Sequence, residues 1–443
     1  MKKIKFIDLF SGLGGFRIGF EESCKQKGYE SSCVLSSEIK KHAIKVYFDN
    51  FGKENFYHDI KKIDNKEIPN FDILLAGFPC QSFSSAGNRK GFLDTRGTLF
   101  FEIERILKSK KPKGFILENV EGLIKHDLRK KSDKFGNTLK VILKSLKKLG
   151  YKVSWNLLNA KNFGLAQQRN RIFIVGMKKK EISLRNFPKK TDKFSSVMDK
   201  KVQVEPTKFS KMLLKKFKPS ELYGKAIKDK RGGSSNIHSW DIGLKGKVTK
   251  FQSELLSDLL KLRRRKVWSK KNNLDWMDGT SLNINQIYSN YNQGDLFKKS
   301  FSKSELKEAL DDLVQKGYLA FEHPKKLIKK KIKGNIYTYR EQDIKKPKGY
   351  NIVVGKLSFE VSKIIDPNGI TPTLLATDMD RIAVVEGRKI RKLTINECKK
   401  LFGFPKDYKI SDIEIRKIYD LFGESVAIPV VKSVSLRLLE ELY

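Results

Sequence analysis

Short apolar segments alternate with amphipathic stretches over the first 177 residues. Six apolar runs have the length of β-strands: Ile4–Leu9, Cys33–Ser37, Asp72–Phe78, Gly114–Glu118, Tyr151–Leu158 and Arg171–Met177. Four stretches between them repeat apolar residues every three or four positions, as helices do: Gly15–Lys25, Lys41–Asn50, Gly97–Lys108 and Thr138–Leu149. Gly150 stands where the fourth helix should end. Strands alternating with helices predict an α/β domain with a parallel sheet.

The alternation stops after residue 177. Residues 178–240 are rich in lysine, with scattered Pro, Gly and Ser, and show little periodicity. Periodicity then returns and predicts three helices: Phe251–Lys266, Ser281–Tyr288 and Ser302–Lys316, the last with a capping box formed by Ser302 and Glu305. Two strand-like runs follow, Tyr318–Glu322 and Asn335–Tyr339, separated by a lysine-rich turn, Pro324–Gly334. Three helices followed by a β-hairpin of these two runs indicate either a winged-helix insertion over about residues 250–345 or an irregular extension of the surrounding domain.

The end of the chain again has the pattern of packed α/β sequence and closes on a predicted helix, Ser425–Leu442. A chain of 443 residues is long enough for two or three domains. We expect a main domain over residues 1–180, completed by about residues 410–443. A smaller domain is expected over residues 181–390, and residues 391–409 would form the junction between them.

The balance of charge is strongly basic. The chain has 92 Lys and Arg against 50 Asp and Glu, a formal net charge of +42. Residues 178–350 hold 43 basic and 19 acidic residues, so well under half of the chain carries more than half of the excess. A concentrated positive field favours binding to a polyanion, most commonly nucleic acid. The alternative is the lysine bias of an AT-rich genome.

Cysteine content and hydropathy bear on the compartment. The four cysteines lie far apart and form no CxxC pair, which argues against a zinc ribbon or a disulfide scaffold. No stretch approaches the roughly 20 apolar residues that span a bilayer, and the first residues resemble no signal peptide. We expect a cytoplasmic protein with no membrane association.

A glycine-rich segment follows the first predicted strand: Asp8-Leu9-Phe10-Ser11-Gly12-Leu13-Gly14-Gly15-Phe16. Glycines at this point let the backbone pass close to a bound cofactor before a helix begins. Glu38 ends the second strand, where a carboxylate can accept both hydroxyls of a ribose, and Asp59 lies where it could accept from an adenine amino group. In this order, the two acids and the glycines favour a cofactor that contains a nucleoside.

A cysteine follows the buried strand Asp72–Phe78 in the segment Ala76-Gly77-Phe78-Pro79-Cys80-Gln81-Ser82-Phe83-Ser84. This is the carboxyl edge of the sheet, where α/β proteins place their chemistry. Most lone cysteines are inert and buried. Cys80 instead stands on a loop among polar residues, which favours a reactive thiolate.

With these segments the chain resembles the DNA (cytosine-5)-methyltransferases, especially the bacterial enzymes of restriction–modification systems. Further blocks occur in the family's order and spacing: Lys90–Phe100, Glu118–Val120, Phe163–Arg171, Arg391–Thr394, Gly403–Pro405 and Phe422–Val426. Together the blocks cover residues 1–180 and about 370–443. The resemblance implies a class I S-adenosylmethionine-dependent, Rossmann-like catalytic domain, with the smaller domain recognising the DNA target.

The resemblance implies a mechanism of covalent catalysis. Cys80 would add to C6 of a cytosine flipped out of duplex DNA, so that C5 becomes nucleophilic enough to accept a methyl group. Glu118 would engage N3 and the exocyclic amine, which requires a raised pKa. Arg171 would hold O2 of the base, and Arg169 would lie beside it near the phosphates. Asn119 is expected to brace the Pro79-Cys80 loop.

The resemblance also implies a cofactor site and DNA contacts. S-adenosylmethionine, converted to S-adenosylhomocysteine, would lie against residues contributed by several segments: Phe10, Gly12, Gly14, Glu38, Asp59, Ile60, Pro79, Leu99 and Ser425. The expected DNA contacts are Gln81, Ser84, Ser85 and Thr373. No metal is expected. Glu424 departs from the Asn that the family usually has before Ser-Val, and it could weaken cofactor binding or point away.

The implied partners are double-stranded DNA and a restriction endonuclease of the same specificity, acting with a monomeric methyltransferase. Two other functions stay open. An RNA cytosine-5 methyltransferase would share the fold, although the nearly 190 residues between Arg171 and the closing blocks favour DNA. A catalytically silent DNA-binding regulator would not need Cys80 and Glu118.

Overall fold

The computed structural model describes residues 2–79, 99–128, 132–229, 235–262, 266–271, 280–292, 301–332, 335–353 and 359–442. The chain forms two compact units. The first comprises Met1–Gln203, Ile365–Val384 and Lys392–Tyr443, and the second comprises Val204–Ile364 and Val385–Arg391. The first unit is therefore larger than the predicted domain of residues 1–180 and about 410–443, and it contains residues 392–409 of the segment that the sequence suggested as a junction.

The first unit is built on a seven-stranded sheet of order β3-β2-β1-β4-β5-β7-β6. Its strands are β1 (Lys3–Leu9), β2 (Glu30–Ser37), β3 (Phe56–Tyr57), β4 (Ile73–Gly77), β5 (Gly114–Val120), β6 (Lys152–Asn159) and β7 (Asn170–Met177). Six of them confirm the predicted strands, and the two-residue β3 lies directly before the segment that contains Asp59. β7 runs antiparallel to both β5 and β6, so the sheet is mainly parallel and not wholly so.

Four helices alternate with these strands: α1 (Gly15–Gln26), α2 (Lys41–Phe51), α3 (Leu99–Lys110) and α4 (Asn137–Lys148). They confirm the helical periodicity, although the first residues predicted for the third helix, 97–98, lie outside the described residues. Gly150 adopts a φ of +82°, which ends the segment after α4 as its position suggested.

The sheet is buried on both faces. Strand β1 shows why, because alternate residues face opposite sides: Ile7 and Leu9 join one apolar core, and Ile4 and Phe6 join the other. The second core is completed by a helix from the far end of the chain, α14 (Ile428–Leu442). Gly19 of α1 lies so close to α14 that a Cβ there would be 2.8 Å from Val431.

A third core joins the carboxyl-terminal segments to the start of the chain. Its elements are α5 (Phe194–Val197), α12 (Ile395–Phe402) and α13 (Ile415–Glu424). Helix α12 begins at a capping box formed by Thr394 and Glu397 and ends at Gly403, which has a φ of +81°. The Tyr408 hydroxyl donates 2.7 Å to the Leu13 carbonyl, so this segment reaches the glycine-rich loop.

The second unit contains six helices among its described residues: α6 (Lys208–Lys216), α7 (Pro219–Leu222), α8 (Lys250–Leu262), α9 (Lys266–Lys271), α10 (Ile284–Asn292) and α11 (Lys303–Gln315). Its strands include β8 (Ala226–Ile227), β9 (Asn236–Ile237), β10 (Leu319–Glu322), β11 (Lys325–Ile332), β12 (Asn335–Gln342), β13 (Gly349–Ile352) and β14 (Lys363–Ile364). Strands β15 (Ile382–Glu386) and β16 (Lys389–Lys392) carry the chain from one unit to the other.

The strand pairing predicted near residues 318–339 is wrong. β10 pairs with β13, whereas β12 pairs with β11, which the sequence analysis assigned to a turn. The helices α8, α10 and α11 pack with β10 and β13 around a core of their own that includes Leu256, Leu310 and Ile352. No helix within the described ranges is long and apolar enough to cross a membrane.

Candidate active site

The loop that holds the predicted nucleophile begins at the carboxyl end of β4. Cys80 itself lies outside the described residues, as do Gln81, Ser84 and Ser85. The residues before it are described: Pro79 is half-buried, and the Phe78 carbonyl accepts a 3.1 Å hydrogen bond from Nδ2 of buried Asn119. This contact agrees with the expected support of the loop by Asn119. The backbone that leads to Cys80 is thereby fixed to the neighbouring strand.

Glu118 lies beside that strand end. Glu118 on β5 pairs in register with Gly77 on β4, and its Oε2 is 3.7 Å from the position that a Gly77 Cβ would occupy. The Glu118 residue is only 8% exposed. Burial raises its pKa, and the charges of Arg171 and Arg169 oppose that rise. A raised pKa favours the protonated carboxyl group, which the predicted role of proton donor requires.

Arg171 contacts this carboxylate directly. The antiparallel pairing of β5 and β7 sets Val120 opposite Arg171, and Arg171 Nε lies 3.0 Å from Glu118 Oε1. The side chains of both residues are almost buried, at 13% and 10% exposure. A nearly buried guanidinium–carboxylate pair at the strand ends is consistent with the roles expected for both residues.

Arg169 is placed differently from the expectation. It is 1% exposed, and its guanidinium donates to three backbone carbonyls: Leu374 at 2.9 Å, Gly423 at 2.9 Å and Ser425 at 2.6 Å. The guanidinium carbon also lies 5.0 Å from the centre of the Phe402 ring. These contacts leave Arg169 turned into the protein, so the structure favours a structural role over the predicted contact near phosphates.

The glycine-rich loop leaves space above its backbone. Phe10, Gly12 and Gly14 have φ values of +57°, +51° and +70°. A Cβ on Gly12 would meet nothing within 4 Å, whereas a Cβ on Gly14 would lie 2.3 Å from the Phe51 ring. The space beside Gly12 is therefore open to a ligand, and we call it the cradle. At position 14 packing against Phe51 leaves no room for a side chain. Phe10, a non-glycine residue in the left-handed region, marks the loop as a functional candidate.

Glu38 is held beside this cradle. Its Oε2 accepts from the backbone N–H of Gly12 at 3.0 Å, and its Oε1 accepts from the N–H groups of Ile39 and Lys40 at 2.9 Å each. These bonds join the end of β2 to the loop after β1. They hold the Glu38 carboxylate beside Gly12, and its contact with a ribose stays a prediction.

Asp59, Ile60 and Leu99 occupy the next positions along the predicted site. Asp59 is half-buried and accepts from the Lys61 N–H at 3.1 Å, which starts a short 3-10 turn. The Ile60 side chain lies in the core, so any contact with a ligand would use its backbone. Leu99 is the first residue of α3 and is half-buried.

The last motif meets the first at the start of α1. A Cβ on Gly15 would lie 3.3 Å from Ser425 Oγ and 2.8 Å from Val426. Glu424, which replaces the usual Asn, forms an ion pair with Lys40. The sequence offers no signal for this pairing, because the two residues are 384 positions apart. The Glu424 carboxylate is therefore directed to a cation.

Thr373 lies beside the segment that contains the two arginines. Its hydroxyl donates 2.6 Å to the Gln168 carbonyl, and Thr371 exchanges backbone hydrogen bonds with Ala166 and Gln168. Thr373 thus belongs to the first unit and not to the smaller domain in which the sequence placed it.

Comparison with known proteins decides the family. Residues 4–440 match the model of the C-5 cytosine-specific DNA methylases. The chain belongs to this family. It is therefore a DNA (cytosine-5)-methyltransferase, as the order of its motifs predicted.

Similar proteins support the same assignment over the full length of the methyltransferase. The chain is 52% identical to the type II methyltransferase M.NlaIV of Neisseria lactamica and 51% identical to M.NgoBV of Neisseria gonorrhoeae, with 100% of each chain covered. The solved structure of the Entamoeba histolytica methyltransferase EhMeth has a TM-score of 0.53 at 18% identity and covers 100% of both chains. That likeness shows the shared fold alone.

Proposed function

We propose that this methyltransferase uses Cys80 to attack C6 of a cytosine in duplex DNA and transfers a methyl group from S-adenosylmethionine to C5. The observation that supports this most directly is the buried Glu118 beside Arg171, next to the strand end that leads to Cys80. A catalytically silent regulator would have no use for a buried carboxyl group at this place.

The proposed steps assign one task to each residue. The Cys80 thiolate forms a bond to C6 while Glu118 donates a proton to N3, so the electron pair of the C5–C6 double bond becomes available at C5. Arg171 holds the base through O2. Bound S-adenosylmethionine would supply the electrophilic methyl group that C5 accepts, with S-adenosylhomocysteine as the leaving product. Loss of the C5 proton to a base then expels the Cys80 thiolate and restores the C5–C6 double bond, and N3 returns its proton to the Glu118 carboxylate.

The loop after β1 fits such a cofactor. The open space at Gly12 would admit a close approach of the ligand, Glu38 would bind the ribose, and Ser425 lies at the start of α1. Phe10 would lie against the adenine, with Asp59 and the Ile60 backbone at its edge and Pro79 and Leu99 lining the pocket. Because Lys40 pairs with Glu424, the unusual acid need not repel the cofactor's carboxylate.

We also propose that the enzyme acts as a monomer in the bacterial cytoplasm, without membrane association and beside a restriction endonuclease of the same specificity. The support is the 52% identity to a type II methyltransferase and a DNA substrate that lies in that compartment. Gln81, Ser84, Ser85 and Thr373 stay proposed as DNA contacts, and the second unit as the target-recognition domain. The alternative RNA substrate is disfavoured by the family match.

The covalent step can be tested with duplex DNA that contains 5-fluorocytosine, because fluorine at C5 cannot leave as a proton does. The wild-type enzyme with S-adenosylmethionine should form an adduct that survives denaturation, and Cys80→Ala should form none. Bisulfite sequencing of DNA from expressing cells supplies the target sequence from which the duplex is designed. An adduct with Cys80→Ala would refute the assignment.

Glu118→Gln provides a matched variant with the nucleophile intact. It should bind DNA and cofactor with near wild-type affinity and lose at least about 100-fold in turnover, since general acid catalysis contributes about 10²–10⁴-fold. Near-normal turnover would assign the proton to another group.

A further inference from the structure

The second unit contains a two-stranded ribbon that pairs with no other strand in the described part of the chain. β11 and β12 join in antiparallel register through eight residue pairs, from Lys325 with Gln342 to Ile332 with Asn335. Described side chains on both strands are exposed, including Leu327 at 55% and Tyr339 at 42%. A two-stranded ribbon is marginally stable in water by itself. The ribbon therefore has an exposed surface that a partner could cover, and binding a partner would stabilise it.

The charge of the ribbon indicates which partner. Five of the eight residues of β11 are lysines, and none is acidic. Across residues 323–348 there are ten basic residues and two acidic ones. Lysines at this density repel one another, and a neighbouring polyanion would relieve that repulsion. A ribbon of two strands also has the right width for the major groove of duplex DNA.

The module behind the ribbon has the element order of a winged helix. After α8, Leu282 exchanges two backbone hydrogen bonds with Tyr350 of β13, at 3.0 and 2.8 Å. The helices α10 and α11 follow, and then β10, the ribbon and β13. Apart from the short helix α9, and with the single bridge residue Leu282 in the position of the first strand, this is the order of a winged helix, and the ribbon occupies the position of the wing.

Helix α11, which the sequence suggested as the element nearest a groove, is poorly suited to phosphates. It has four acidic residues and two lysines. Glu305 is used in the capping box, and Asp311 binds Lys307 at 2.5 Å and the Tyr350 hydroxyl at 2.7 Å. Asp312 binds Lys316 and Gln252 at 2.5 and 2.6 Å. These acids hold the module together and leave α11 with a net negative surface.

We infer that residues 250–352 form a winged-helix module that binds the phosphate backbone of the substrate duplex through the lysine-rich ribbon β11–β12, and not through α11. This inference rests on the proposed function, since it takes the methyltransferase's DNA substrate as the occupant. The ribbon adds phosphate contacts to the enzyme and leaves the chemistry at C5 unchanged.

The test neutralises three lysines in the middle of β11 by Lys329→Gln, Lys330→Gln and Lys331→Gln. Binding of a duplex that contains the target is measured over a range of salt concentrations. Each lost phosphate contact lowers the log–log salt slope by about 0.9. The slope should therefore fall by about 2–3, and the Kd should rise about 10- to 100-fold near 0.15 M salt. The triple Lys→Arg variant should retain wild-type affinity.

The control removes the same charge from α4 by Lys144→Gln, Lys147→Gln and Lys148→Gln, three exposed positions. Strands β5 and β6 both pair antiparallel with β7, so they run parallel to each other. Because α4 leads into the start of β6, it ends at the edge of the sheet opposite to the edge that holds Glu118. The control should bind DNA like the wild type, and both triple variants should bind cofactor and keep the maximal rate at saturating DNA. Equal slopes for the ribbon variant and the control would overturn the inference. A wild type that forms no 5-fluorocytosine adduct would instead overturn the proposed function.

Discussion

At the scale of single residues, the end of β1 holds an acid that the proposed chemistry does not use. Asp8 is fully buried on the side of the sheet that faces α1. Burial raises the pKa of its carboxyl group to about 8, although the nearby Arg17 guanidinium acts in the opposite direction. The neutral form of Asp8 is therefore favoured in the folded protein up to about this pH.

This raised pKa predicts a pH-dependent stability. In the unfolded chain an Asp has a pKa of about 3.9. The contribution of Asp8 to the free energy of unfolding is therefore fully present below that pH, and it is lost as the pH rises through about 8. Relative to Asp8→Asn, the wild type should lose up to about 1.4 kcal/mol per pH unit within this window. Urea unfolding of both proteins at several pH values measures the difference, and parallel profiles would contradict the prediction.

The sequence predicted the positions of some site residues but not of others. Glu118 and Arg171 could be predicted because each belongs to a block whose spacing fixes its position at a strand end. The hydrogen bonds from Arg169 to the carbonyls of Leu374, Gly423 and Ser425 could not be predicted, since these groups lie more than 200 residues away along the chain. The family resemblance implied a place near the phosphates for that arginine, whereas long-range packing buries it.

At the scale of elements, the loop between β1 and α1 has two glycines with different tasks. Gly12 has open space above it, and Gly14 has the Phe51 ring against it. Both adopt positive φ values, so any substitution at either position costs roughly 1–2 kcal/mol in backbone strain.

Two alanine variants should separate these tasks. Gly12→Ala should lower the melting temperature modestly and weaken cofactor binding more than about tenfold, because its methyl group enters the cradle. Gly14→Ala should destabilise the enzyme more, because its Cβ would also displace Phe51. Calorimetric titration with S-adenosylhomocysteine and thermal unfolding measure the two effects. Unchanged affinity in Gly12→Ala would remove this loop from the cofactor site.

Elements with regular apolar periodicity could be predicted, and those without it could not. Strand β4 is apolar throughout and was predicted, whereas the lysines of β11 hide a strand because lysine is depleted in sheets. The pairing of β10 with β13 skips an entire ribbon, so no local pattern reveals it.

At the scale of the whole molecule, the first unit is assembled from three separate stretches of chain. Arg169 joins them, since it lies next to β7 and donates to carbonyls at residues 374, 423 and 425. The closing motif, with Ser425, is thereby held at the start of α1.

Arg169→Met should therefore destabilise the enzyme. It leaves three buried carbonyls without their donor, at about 1–3 kcal/mol each, so a loss of at least about 3 kcal/mol is expected. Cofactor affinity should fall as well, because Ser425 is no longer held. The matched variant is Arg171→Met, which should lose turnover at a smaller cost in stability. Urea unfolding measures both, and a greater loss of stability in Arg171→Met would contradict the structural role.

The packing of α14 against α1 sets the time at which a newly made chain can become active. Roughly 400 residues separate the two helices, and ribosomes add about 5–20 residues per second, so α1 waits on the order of 20–80 s for its partner. Until then the face of the sheet that α14 covers stays exposed, and Ser425 has not been synthesised. Nascent chains therefore depend on chaperones or on slow collapse for protection. A truncated product that lacks the last helix would be both unfolded and inactive.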